Sequence, residues 1–133
     1  MPPDGWSTTI AAAVLRCGAA LHAASSMLGL VALAAAATAS IVVPIAMATI
    51  VVGLVEFWLA ARVAIDAELF DALATNADLE GLDRSLHDLG LRPNDRTTRP
   101  LVERIRAAFR LLKLQAAAFV LQVGVLLAGL AHA

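Results

Sequence analysis

The 133 residues include no tyrosine, a single cysteine and few aromatics of any kind. Cys17 has no second cysteine with which to close a disulfide or complete a metal or redox motif, so it reads as a small packing residue. Charge is missing over long stretches. No Asp, Glu, Lys or Arg occurs from Cys17 to Val55, or from Leu114 to Ala133. A helix in water needs a polar face, and these stretches supply none. An excess of either sign is also lacking: ten basic and eleven acidic residues give no bulk attraction to nucleic acid or to an anionic surface. Phosphate loops, nucleophile and base pairs, metal-ligand spacings and dinucleotide fingerprints are absent as well. No catalytic residue, metal or cofactor is therefore assigned, and an enzyme is not expected.

What is present is apolar. A hydrophobic content of 60% and a mean hydropathy of +0.80 exceed what a soluble core requires. The 39 uncharged residues from Cys17 to Val55 extend, at about 1.5 Å per residue, to roughly twice the ~30 Å hydrocarbon thickness of a bilayer, so they fold back once. The expected fold is an all-α integral membrane protein with three transmembrane helices, at 17–37, 41–61 and 111–131. Thr38, Ala39 and Ser40 make the turn between the first two, and Pro44 falls in the first turn of the second, where its missing N–H costs little. A cleaved signal peptide is the competing reading of the first span, from Ala37, Thr38 and Ala39 as an A-x-A site. The preceding segment is long, has one basic residue and includes Asp4, which favours the uncleaved hairpin.

Nine of the ten basic residues lie between Arg62 and Lys113, and the tenth, Arg16, precedes the first span. The positive-inside rule then puts residues 1–16 and 62–110 in the cytoplasm and residues 38–40 and 132–133 outside. Trp6, Phe57 and Trp58 fall near the inner interface, as an aromatic belt requires. Arg16, Arg62, Arg104, Arg106, Arg110 and Lys113 serve as anchors there, some snorkelling outward, and Arg62 is one turn from Asp66 as a surface ion pair. The Ala-, Leu-, Val- and Arg-rich composition suggests a GC-rich bacterial gene, hence the bacterial cytoplasmic (inner) membrane.

The cytoplasmic segment reads as helical. Glu68, Asp71, Thr75 and Asp78 mark one face and Phe70, Leu73 and Ala77 another, so the second span continues to about Ala77. A short helix follows to Leu89, with Leu79, Leu82, Leu86 and Leu89 as its apolar stripe, stopped by Gly90 and Pro93. Residues 92–99 form a polar connection, and a last helix runs from Pro100 unbroken into the third span. The second and third spans thus project as a cytoplasmic pair closed by the short amphipathic helix.

Glu56 is the most informative residue, because six residues before Arg62 it lies within the hydrocarbon, where a carboxylate needs a partner or a proton. His22 stands six residues after Arg16 on the antiparallel first span, at matching depth. His22 and Glu56 are therefore a candidate intramembrane polar pair: a proton relay, a structural hydrogen bond, or part of a cation site. The competing reading leaves Glu56 at the border, solvated by interfacial water or by Arg62. Gln115 and Gln122, seven apart on the third span, should face a bundle interior, and Gly18, Ser25, Gly29, Ala32 and Ala36 form a small-residue surface for close helix approach. His87 and His132 lie at other levels and cannot join His22. Functionally, the expectation is a non-enzymatic scaffold or accessory subunit that self-associates as a homo-oligomer or docks on a larger membrane complex, with lipid as its other partner and no nucleic acid. The alternatives are a homo-oligomeric channel or transporter with a polar path through His22, Glu56, Gln115 and Gln122, and a membrane anchor for an enzyme.

Overall fold

The computed structural model describes residues 5–38, 41–76, 79–90 and 101–131, and every regular element among them is helical. In chain order these are α1 (Gly5–Ala37), α2 (Val43–Asn76), α3 (Leu79–Asp88) and α4 (Leu101–Ala131). Three of them, α1, α2 and α4, are long and apolar enough to cross a membrane. The connection at residues 91–100, residues 77–78, Ala39 and Ser40 of the turn between the first two long helices, and His132 lie outside the described residues, as does the side chain of Trp6.

Local chemistry sets the helix ends. Thr38 closes α1, its hydroxyl donating to the carbonyls of Ala34 and Ala35 at 3.1 and 3.2 Å, two of the acceptors that a helix end leaves over. Pro44 falls in the first turn of α2, where the carbonyl of Val42 instead accepts from the N–H groups of Ile45 and Ala46. Gly90 follows α3 with φ +68°, a left-handed conformation that glycine adopts without a Cβ penalty, and its N–H donates to His87 O at 2.8 Å.

Burial recurs every seven residues on all three long helices. The buried positions include Ala11, Gly18, Ser25 and Ala32 on α1, Thr49, Glu56, Val63 and Phe70 on α2, and Ala108, Gln115, Gln122 and Gly129 on α4. A sustained period of seven keeps one seam of each helix toward its neighbours when helices wrap around one another left-handedly. The register between α1 and α4 is fixed by two contacts at the same sequence offset of 97, Gly18 with Gln115 and Ser25 with Gln122. Two apolar clusters sit at the ends of the seam. One gathers Leu15, Val63, Phe70, Leu73 and Ala108, and the other Ala32, Ile41, Ala46 and Leu126.

The first of these clusters departs from the sequence expectation. Only α2 and α4 were expected to project beyond the membrane, with the short helix closing the pair. Instead α1 begins at Gly5, and its Ala11, Ala12 and Leu15 pack against α2 and α4, so that this end is a three-helix bundle like the rest. The cause is that residues 7–15 carry no charge and place small and apolar side chains at helical spacing. No appreciable packing joins α3 to the long helices among the described residues. Leu89 is exposed, and the side chains of Leu79, Leu82 and Leu86 are outside the description.

Candidate functional site

The distribution of polarity is inverted relative to a protein folded in water. Thr49, Glu56, Gln115 and Gln122 have no exposed surface, whereas Met27, Leu30, Leu33, Val43, Leu54 and Val120 are all more than half exposed. A soluble protein hides its large apolar side chains and rarely buries a carboxylate and two glutamines together. Among the described residues, the buried polar side chains that bond across helices fall into two groups, about two helical turns apart along the seam.

The first part is centred on Glu56. Its Oε2 lies 3.0 Å from His22 Nδ1, and its Oε1 accepts from Gln115 Nε2 at 2.7 Å. The same Gln115 amide donates its second hydrogen to the carbonyl of Gly18 at 2.7 Å. One carboxylate thus ties α2 to both α1 and α4. Gly18 permits this closeness, since a Cβ there would stand 2.8 Å from Gln115 Oε1 and 3.0 Å from Val63 Cγ1. Gln115 Oε1 is buried without a hydrogen-bond partner among the described residues and lies instead against Gly18.

The second part is a reciprocal pair. Ser25 Oγ donates to Gln122 Oε1 at 2.6 Å, and Gln122 Nε2 returns a bond to the Ser25 carbonyl at 3.1 Å. Gly53 on α2 leaves room for this pair, because a Cβ there would meet Gln122 Nε2 at 2.9 Å. Each glutamine therefore faces a glycine of a neighbouring helix and grips the backbone of α1.

His22 and Glu56 do meet, as the equal spacing from Arg16 and Arg62 implied, and Gln115 joins them. Gln122 belongs to the other cluster, one heptad away. The environment of the pair is asymmetric: the Glu56 side chain is completely enclosed, while that of His22 is 34% exposed. Phe57 packs beside the imidazole, with ring centroids 5.3 Å apart at 53°. Such a pair can share one hydrogen between ring and carboxylate, and His22 is its exposed member.

The interfacial arginines act differently from one another. Arg16 reaches Asp71 at 3.0 Å and Glu68 at 4.0 Å, an exposed link between α1 and α2 that the sequence reading did not name. Its long side chain thus points past the level of Arg62. Arg62 lies over the ring of Trp58, 4.5 Å from the centroid, and makes no ion-pair contact within 4 Å with Asp66, although its charge still acts on that carboxyl. Arg104 is half-buried, and Arg106, Arg110 and Lys113 are exposed on α4. Cys17 is exposed too, not packed as expected, because the adjacent Gly18 and Leu15 take the inward positions. No group of three His, Cys, Asp or Glu side chains that could hold a metal ion occurs among the described residues. Comparison with protein-family models, curated proteins and solved structures found no match in any of the three.

Proposed function

We propose that the chain is a multi-pass protein of the bacterial cytoplasmic membrane, N-terminus inside and C-terminus outside, that serves as a non-enzymatic accessory or scaffold subunit. It would dock on a larger membrane complex and present residues 62–110 to the cytoplasm. One observation carries this reading: Ser25, Glu56, Gln115 and Gln122 are engaged in bonds between helices of a single chain, while the outward faces are largely apolar. A conducting path needs polar groups that line open space. Here Gln115, Gln122, Ser25 and Glu56 fasten the bundle instead.

The same packing bears on self-association. Of the small residues on α1, Gly18, Ser25 and Ala32 are buried against the chain's own helices. They are spent before a second copy arrives, so docking through larger apolar side chains is favoured over a homo-oligomer built on the small-residue face.

The test is purification of the full chain in mild detergent, with mass measured by light scattering and proton flux measured after reconstitution into vesicles. A partner in fixed stoichiometry, lost when residues 77–89 are replaced by a flexible linker, together with absence of flux, is the expected result. Flux that Glu56→Gln abolishes would replace this reading with the transporter one.

A further inference from the structure

His22 has a second ring nitrogen that the bundle does not use. Nδ1 is engaged by Glu56, and Nε2 has no hydrogen-bond partner among the described residues. Nor is Nε2 sealed in the interior, since Gln115 Oε1 is the only buried polar side-chain atom there without a partner. An accessible, unpaired ring nitrogen in hydrocarbon is costly, and in a membrane it finds a polar partner.

The surroundings of His22 give that partner a shape. A groove runs between α1 and α2 with His22 and Phe57 at its middle. Its inner limb, about 270 Å³, passes Ala19, Ala61 and Ala64 to end at Arg16 and Glu68. Its outer limb, about 340 Å³, passes Ser26, Gly29 and Leu30 on α1 and Ile50 and Leu54 on α2. Small-molecule sites begin at roughly 300 Å³, so the outer limb, with the smaller inner one continuing it, has room for a single slender molecule. The small side chains, and Gly29 above all, create the hollow: a Cβ on Gly29 would meet nothing within 4 Å.

We propose that this groove binds a lipid-soluble ligand bearing a hydroxyl, with the hydroxyl on His22 Nε2 and one hydrocarbon chain along the outer limb. The choice of hydroxyl follows from the imidazole. Where Nδ1 donates its hydrogen to Glu56, the ring offers a lone pair at Nε2; where Nδ1 accepts from a Glu56 O–H, Nε2 carries the hydrogen and donates. A hydroxyl donates and accepts, so it matches either form, whereas a ketone matches one and an alkane neither. Free long-chain alcohols and acylglycerols share this chemistry. Glu56 is a positioning residue here, holding the imidazole by its other nitrogen. The inference rests on the membrane reading of the bundle and is independent of the scaffold role.

The experiment uses the full chain in lipid nanodiscs and a long-chain alcohol carrying a photoreactive diazirine, with labelled residues mapped by mass spectrometry. Labelling is expected at Ser26, Gly29, Leu30, Ile50 and Leu54. An unlabelled alcohol should compete about tenfold better than the alkane of equal length, the factor one net hydrogen bond supplies. A monoacylglycerol in the same competition tells which source of the hydroxyl is preferred, and either one supports the site. Gly29→Leu, whose Cβ meets nothing within 4 Å and whose side chain occupies the outer limb, should lower labelling at least tenfold. Gly124→Leu on α4, where a Cβ also meets nothing within 4 Å, should leave it unchanged. The ¹⁵N signal of His22 Nε2 should move on adding the alcohol but not the alkane. Equal competition by alkane and alcohol, or labelling spread evenly onto Val120 and Leu121, would reduce the groove to bulk lipid contact and overturn the proposal. Cross-links between copies through α1 or α2 that the alcohol does not displace would assign the groove to a second chain, which also overturns it. Release of the protein from membranes by alkaline carbonate would instead refute the membrane reading beneath it.

Discussion

The Glu56 layer makes a sharp energetic prediction, because its three members differ in what they leave behind when removed. Glu56→Gln keeps the shape and retains a group that can accept from Gln115 and donate to His22 Nδ1. Its stability should stay within about 0.5 kcal/mol of the parent, the range of changes that disturb no network. Glu56→Leu strands two partners, those at 3.0 and 2.7 Å. At about 0.6 kcal/mol for an average interhelical bond in a membrane and about 1.7 for the strongest, the cost should be about 1–3 kcal/mol. That falls short of the ~3–5 kcal/mol for breaking a buried ion pair, since the leucine removes the charge rather than abandoning it. Adding Gln115→Leu to Glu56→Leu removes the amide hydrogen left unpaired and the partnerless Oε1, at the loss of the 2.7 Å bond to the Gly18 carbonyl, so the double variant should cost less than the two single variants summed. Reversible unfolding in mixed micelles of mild detergent and dodecyl sulfate, followed by helicity, provides the assay. Glu56→Gln costing as much as Glu56→Leu, or single-variant effects that add within about 0.5 kcal/mol, would refute a carboxylate shared by His22 and Gln115.

Other expectations come from the glycines and the topology. Gly18→Ala and Gly53→Ala each force a methyl within 3.0 Å of a buried glutamine, and each should cost about 1–3 kcal/mol in the same assay, while Gly124→Ala should be neutral or better. Ser25→Ala, which deletes the 2.6 Å hydroxyl bond but not the backbone one, should cost about 0.6–1.7 kcal/mol. With Cys17→Ser as background, a thiol from Thr38→Cys should react with an impermeant reagent from outside the cell and one from Arg96→Cys only after the membrane is opened; the reverse pattern would invert the orientation.

Much of the architecture is legible in the sequence because solvent is written into it so coarsely. Two charge-free stretches, a proline near the start of α2 and a glycine after α3 are enough to expect three long helices and one short one. His22 and Glu56 were found by depth alone, since equal distances from Arg16 and Arg62 cancel the error in where each span begins. The choice of partners for the glutamines was harder. Gln115 and Gln122 are seven apart, as are Gly18 and Ser25, and that shared interval is the signal that pairs them. It is visible only if the two stripes are compared, and in an alanine-rich chain many stripes of small residues compete. The inward role of residues 8–15 was obscured for another reason: alanine is equally at home in an interfacial tail and in a tight bundle. Which end of α1 packs is decided by neighbours, not by its own residues.

The central claim is that the three long helices of one chain pack on each other in this register, and a cross-link between α2 and α4 tests it most directly. A Cβ built on Gly129 stands 3.5 Å from the Cβ of Ile45, within the ~3.5–4.5 Å that a disulfide spans. Replacing Ile45 also removes the methyl that would obstruct position 129 at 2.5 Å. The pair Ile45→Cys and Gly129→Cys, in the Cys17→Ser background and oxidised mildly in native membranes, should close an intrachain disulfide in nearly every molecule, read as a monomer without free thiols. Persistent free thiols, or disulfide-linked dimers in place of the closed monomer, would contradict it.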